Sequence, residues 1–194
     1  MFKQYCNEIE KLSGFTKEDI LNKKFELYSD NHMKIYYAPH NEIVNEKAKI
    51  FIVGITPGWT QTSIAYKTAQ DGLVQKMETE EIKKDLIEML DELNLHDKLQ
   101  IGSCSELFAS KDNLLHTTSM IPYPGFIQNK NYTGFSPKIL EHEVLKSYLE
   151  KYFYEEIKKL PNAFIIPLGK AVEEVLEYMI SQNGIEKSSS KKIK

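Results

Sequence analysis

Cysteine is scarce in this chain, with only Cys6 and Cys104 in 194 residues. The two lie far apart and form neither a disulfide framework nor a metal-binding cysteine pattern. No metal and no cofactor is therefore expected, and a reduced, cytoplasmic setting fits. A charge excess is missing as well. The net charge of -3 gives no global attraction to nucleic acid or to an anionic membrane. Long apolar runs are absent, and nothing approaches the roughly 18 residues of a membrane span. The opening MFKQYCNEIEKL carries charges every few residues, so no secretory signal is visible. With 41% hydrophobic and 27% charged residues, the balance is that of a globular domain able to bury a core. One domain over 1–194 is expected, with a polar tail over 184–194 and no internal repeat.

Apolar periodicity divides the chain. Residues 3–12 read as a short amphipathic helix. Phe25–Tyr28 and Lys34–Tyr37 flank Ser-Asp-Asn-His, which predicts a hairpin. AKIFIVGI (48–55) is a nearly continuous apolar run, the signature of a strand buried on both faces. TSIAYKTAQDGL reads as helix or loop. Thr79 is positioned to cap a helix whose Ile82, Leu86, Leu90 and Leu93 share a face. A second central strand is expected over 113–120, within DNLLHTTSMIPYP. GFIQNKNYTGFSP is expected to be a long polar and aromatic loop. A helix follows over roughly 138–160, with Leu145, Tyr148, Leu149, Tyr152, Ile157 and Leu160 inward. NAFIIPLG (162–169) predicts a third buried strand, and KAVEEVLEYMISQNG its helix, with Gly184 as C-cap. Strands alternating with helices imply βαβ units, a mostly parallel sheet and helical layers on its faces.

In such sheets ligands bind at the carboxyl ends of the strands. That rule puts GITPGWTQ, HTTSMIPYP and PLGK on one rim. Gly54 and Gly58 let a backbone approach a ligand closely. Pro57 stiffens the turn, and Thr56 is biased toward extended backbone by the proline after it. The spacing is not that of a phosphate-binding P-loop. Trp59 could stack on a base or staple the turn. Lys170 could meet a phosphate or remain solvated. The aromatics Tyr123, Phe126, Tyr132 and Phe135, interleaved with Asn129, Lys130 and Asn131, suit single-stranded nucleic acid or a loop packed on itself.

The order of these segments resembles the uracil-DNA glycosylase superfamily. GITPG at 54–58 is similar to the Gly-Ile-Asn-Pro-Gly and Gly-Met-Asn-Pro-Gly turns of its mismatch-specific and single-strand-selective branches. IIPLGKAVEEVL looks like the family's strand-Leu-Gly-Lys-helix segment, and LLHTTSMIPYP falls where a strand ends in a base-reading asparagine. The resemblance, over roughly 45–182, implies an α/β/α sandwich around a mostly parallel sheet and a pocket for a flipped base. It assigns Gly54, Ile55, Pro57, Gly58, Trp59, Tyr66, Thr117, Ser119 and Lys170 to the pocket, with Tyr66 as an aromatic floor. Thr56 and His116 are the catalytic candidates. The implied partner is DNA or another nucleobase-containing ligand, with no membrane.

Departures from the family pattern bear on activity. Thr56 stands where several branches have a water-orienting Asp or Asn, and its hydroxyl is no base at neutral pH. Ile55 cannot replace the glutamate of the iron-sulfur branch, and two cysteines cannot hold that cluster. Near Thr117 one hydroxyl replaces an asparagine amide, although His116 could add a ring nitrogen. The closing His-Pro-Ser loop has no counterpart before Lys194, as expected of a shortened relative or of a piece of a longer chain. Two functions are therefore expected to compete, a glycosylase acting on a deaminated base and a non-catalytic module binding a nucleobase, nucleotide or nucleic acid, with a small-ligand α/β protein related only by architecture as a third reading.

Overall fold

The computed structural model describes residues 2–39, 43–72 and 80–182. Thr79, the Ile82 side chain, Gly184 and the tail lie outside the described residues. The chain opens with α1 (Phe2–Glu10) and α2 (Lys17–Ile20). In α2, Thr16 accepts from the Asp19 N–H while Asp19 accepts from the Thr16 N–H, a reciprocal cap that sets the helix start. The expected hairpin follows as β1 (Glu26–Ser29) and β2 (Lys34–Tyr36), antiparallel. Its turn is held by Asp30, which accepts from the N–H groups of His32 and Met33 and from Tyr28 Oη. Burial alone would raise the Asp30 carboxyl, but these donors and His142 outweigh it and hold it far below the usual carboxylate range.

The central apolar run forms β3 (Ile50–Gly54), followed by α3 (Trp59–Gln70), which resolves the helix-or-loop alternative for that stretch as helix. Next come α4 (Glu80–Glu92), α5 (Leu95–Leu99), a 3-10 turn over Cys104–Phe108 and β4 (Leu115–Ser119). Residues expected to form a long loop instead contain a β-hairpin, β5 (Gly125–Ile127) and β6 (Lys130–Asn131). The reason is local. Gln128 and Asn129 both take positive φ, 48° and 64°, the backbone of a type I′ turn, whose twist matches that of the strands it joins. The helix expected over 138–160 begins later, as α6 (Glu143–Tyr148), passes through a π-helical turn over Leu149–Phe153 and continues as α7 (Tyr154–Lys159). β7 (Phe164–Pro167) and α8 (Lys170–Ser181) complete the described elements.

The three buried runs lie side by side as one parallel sheet, in the order β4-β3-β7, with β3 in the middle. A second, antiparallel sheet has the order β1-β2-β5-β6. The protein is thus a mixed α/β fold with one three-stranded parallel sheet, and the mostly parallel single sheet expected from the sequence is replaced by two sheets. Alternation along β3 splits the core. Phe51 and Val53 join a cluster with Tyr66 of α3, Leu145 of α6, Phe153, Ile157 of α7 and Val172 of α8. Ile50 and Ile52 face the opposite cluster, with Leu86 and Leu90 of α4, Leu95 of α5 and Cys104. Helices therefore cover both faces of the parallel sheet, which is what lets β3 be apolar at successive positions. Among the described residues, no helix is long and apolar enough to cross a membrane.

Tyr66 belongs to this core. It is fully buried, stands edge-on to Phe25 at 4.9 Å between ring centroids, and donates its hydroxyl to the Tyr37 carbonyl at 2.8 Å. Burial drives its phenol far above the ordinary range. Tyr66→Phe should cost about 1–2 kcal/mol, the usual loss when one partner of a buried bond is removed. Equilibrium urea unfolding measures it, and an unchanged midpoint would show that the bond contributes nothing.

Candidate functional site

The carboxyl ends of β3, β4 and β7 lie on one edge of the parallel sheet because all three strands run the same way. The Gly54–Gly58 turn is pinned from several sides. Met120 N–H donates to the Gly54 carbonyl at 2.9 Å and Ile121 N–H to the Ile55 carbonyl at 3.0 Å, which locks the turn to the exit of β4. Leu168 N–H donates to the Val53 carbonyl at 2.8 Å, tying in the exit of β7. Pro57 is buried. Gly58 is the N-cap of α3, and its own N–H donates to Gln61 Oε1 at 3.0 Å. The neighbouring Trp59 N–H donates to Asn131 Oδ1 at 3.2 Å. Two side chains thus take N–H groups at the α3 terminus that an anion would otherwise use.

One group on this turn is left over. Thr56 Oγ1 is buried and has no hydrogen-bond partner among the described residues. A buried hydroxyl without a partner costs about 1–3 kcal/mol in mutational data. Such orphans mark places where structure has been subordinated to something else.

A third segment closes on the same edge. Gly134 has φ +88°, and a Cβ there would fall 2.8 Å from both Ala171 Cβ and Ile55 Cδ1. The 132–135 segment thus packs between the first turn and the start of α8. Ser119 lies opposite Gly54 in register, with its Oγ 3.8 Å from where a Gly54 Cβ would sit. Gly169, at φ +95°, turns the chain into α8 in open space. Lys170 follows with its side chain 75% exposed, 3.8 Å from Glu174 Oε1. It stands in solvent and holds no group on the rim.

The remaining expected residues fall elsewhere. Thr117 is opposite Ile52, in mid-strand, on the other face from His116. His116 is only 5% exposed and lies against Phe51, with ring centroids 5.2 Å apart. Its Nε2 makes a very short contact with Glu156 Oε1, and Glu156 Oε2 accepts from Thr118 Oγ1 at 3.0 Å. This His116–Glu156–Thr118 network faces α7, below the rim. His116, expected on the rim, is thus packed in the core with a carboxylate partner, and Tyr66, expected as a pocket floor, is packed in the core with its hydroxyl on the Tyr37 carbonyl. Trp59 stays beside the turn, with Lys17 Nζ 5.7 Å from its ring centroid. The sequence reading missed Glu156. Its signal was a carboxylate three residues after Phe153 and one before Ile157, on a helix face otherwise directed inward.

Two other features were not expected. A shallow groove of about 290 Å³ is bordered by Asn31, His32, Ile127, Gln128, Ser136 and Pro137. Its wall mixes the polar Asn31, His32, Gln128 and Ser136 with only Ile127 and Pro137 as apolar residues, whereas ordinary ligand pockets are predominantly apolar. On the far face of the parallel sheet, Asp91, His96 and Cys104 bring one ligand-type atom each within 4.8 Å of the others. Burial and then the Asp91 carboxylate push the Cys104 thiol up to about 12, the opposite of an activated nucleophile.

These features define the class: a mixed α/β protein with its candidate site on the carboxyl edge of a three-stranded parallel sheet. No family model and no solved structure matches the chain. Its sequence is 39% identical over 200 residues to the "Uncharacterized protein YoxB" of Bacillus subtilis (strain 168), covering 95% of this chain and 78% of that protein. The chain belongs to the same family as that protein.

Proposed function

We propose that this chain is a diverged relative of the uracil-DNA glycosylases, with their α/β/α layering, that holds a nucleobase-containing ligand on the Gly54–Gly58 rim and does not excise uracil. The observation that carries this reading is the Thr56 hydroxyl, buried and without a partner among the described residues, on a turn tied down on either side at Gly54, Ile55 and Gly58. A base edge offers carbonyl acceptors and N–H donors, and a hydroxyl can serve either once the turn opens to expose it, since Thr56 Oγ1 has essentially no accessible surface in the closed turn. Helices on both faces of the parallel sheet support the layering. Loss of excision follows from chemistry. N-glycosidic cleavage needs a positioned water and support for the departing base anion. Thr56 is too weak a base for the first, and His116 is engaged with Glu156 and not free for the second. Positioned proton transfer is worth about 100- to 10,000-fold, and one lost donor to a developing anion about 100- to 1,000-fold.

The test is a gel assay on oligonucleotides bearing uracil, hypoxanthine or xanthine. The expected outcome is a mobility shift without an alkali-labile site. Strand scission at the modified base after alkali would make the chain a glycosylase, and neither shift nor scission would remove the nucleobase reading.

Thr56→Val supplies a sharper version. Valine keeps the shape of threonine and removes the orphan hydroxyl. The variant should be as stable as the parent or more stable by about 1 kcal/mol, yet bind the same oligonucleotides at least 10-fold more weakly. Paired melting and binding curves decide it. A destabilised Thr56→Val would mean that the hydroxyl has a structural partner.

A further inference from the structure

We propose that Asp91, His96 and Cys104 form a binding site for a thiophilic divalent cation, Zn²⁺ foremost. The three residues come from consecutive elements: the end of α4, the α5 turn and the first residue of the 3-10 turn that follows. Their ligand atoms lie within 4.8 Å of one another. In a tetrahedral site with Zn–S near 2.3 Å and Zn–N or Zn–O near 2.0–2.2 Å, ligand atoms sit about 3.3–3.8 Å apart. A closure of about 1 Å at the widest pair would therefore suffice.

Each ligand has a feature that a cation would use. His96 Nδ1 is buried and has no hydrogen-bond partner among the described residues. Asp91 Oδ1 stands 3.3 Å from it, within ion-pair distance but not aligned as a hydrogen bond. The other ring nitrogen, Nε2, is 3.6 Å from Oδ1 of the exposed Asp97, within ion-pair distance but beyond a hydrogen bond. Asp91 is held in place by the Cys104 N–H at 2.7 Å and the Ser103 hydroxyl at 2.8 Å, donors that leave carboxylate lone pairs for a metal. Cys104 is fully buried, with its thiol beside that carboxylate. On binding, the Cys104 S–H bond breaks, its proton passes to solvent and the thiolate takes the cation. One thiolate, one imidazole and one carboxylate suit Zn²⁺ or Co²⁺ rather than Ca²⁺ or Mg²⁺, with water as fourth ligand.

The site is independent of the rim reading, since it lies with Ile50 and Ile52 on the opposite core cluster. The test titrates the full chain, reduced and metal-free, with Co²⁺ and then with competing Zn²⁺. One equivalent should bind with a near-ultraviolet thiolate-to-cobalt charge-transfer band that Zn²⁺ abolishes. Cys104→Ala should remove the band and Cys6→Ala should leave it. His96→Gln, at a partly exposed position that does not threaten folding, should weaken binding by about 100-fold or more, beyond the about 10- to 100-fold typical of an outer-shell partner. No saturable binding by the reduced chain would overturn the proposal, as would a band that survives Cys104→Ala or an affinity unmoved by His96→Gln.

Discussion

Gly134→Ala should destabilise the protein by about 2–5 kcal/mol and weaken any ligand binding on the rim with it. Two costs add. A residue with a Cβ held at positive φ loses about 1–2 kcal/mol, and Gly134 sits at +88°. The new methyl would also fall 2.8 Å from Ala171 Cβ and from Ile55 Cδ1, and overpacking of this kind costs about 1–3 kcal/mol. Gly72 separates the two. It has φ +70° with no atom of the described residues within 4 Å of its absent Cβ, so Gly72→Ala should show the backbone cost alone. Urea unfolding of both variants gives the comparison. Equal losses at the two glycines would mean that the 132–135 segment does not brace the rim.

Removing the Glu156 carboxylate should have an effect of similar size for a different reason. Glu156→Ala strips the partner from His116 Nε2 and from Thr118 Oγ1 at one stroke. Breaking a buried pair by deleting one member costs about 3–5 kcal/mol. The Glu156 side chain remains 12% exposed, so some solvent can reach the groups left behind, and about 2–4 kcal/mol is expected. Glu156→Gln keeps an amide oxygen for Thr118 and should recover much of the loss. If Glu156→Ala and a surface variant such as Glu155→Ala unfold at the same denaturant concentration, the network carries no stability. Uracil excision that depends on His116 would contradict its placement in the core.

The parallel sheet was legible because its signal is strong and local. The runs around Phe51 and Ile165 are apolar toward both core clusters, the run around Leu115 is apolar toward one, and each is followed by a turn. The rim followed from strand direction alone. Less legible was anything set by contacts between distant segments. Nothing near His116 announces Glu156, forty residues away, and only the helix face it shares with Phe153 and Ile157 hinted at it. The β5–β6 hairpin was hidden because Gln128–Asn129 is a weaker turn signal than Asn-Gly, so its polar strand β6 reads as loop. The burial of Tyr66 was hidden for the opposite reason: its expected place came from a family position, whereas its surroundings are set by Phe25 and the Tyr37 carbonyl, from distant segments. The Asp91, His96 and Cys104 group escaped a spacing rule that looks for paired cysteines.

Trp59 offers the most direct test of the central claim. It is the sole tryptophan, and its N–H and that of Gly58 are fixed beside the turn that carries Thr56. Its emission should report whatever settles on the rim. Titration with a single-stranded oligonucleotide bearing one deoxyuridine should give a saturable change in Trp59 fluorescence. In Thr56→Val the change should move to at least 10-fold higher oligonucleotide concentration, and neither protein should release free uracil. A flat titration with uracil, hypoxanthine and xanthine oligonucleotides alike, or steady release of free uracil by the unmodified chain, would contradict the account.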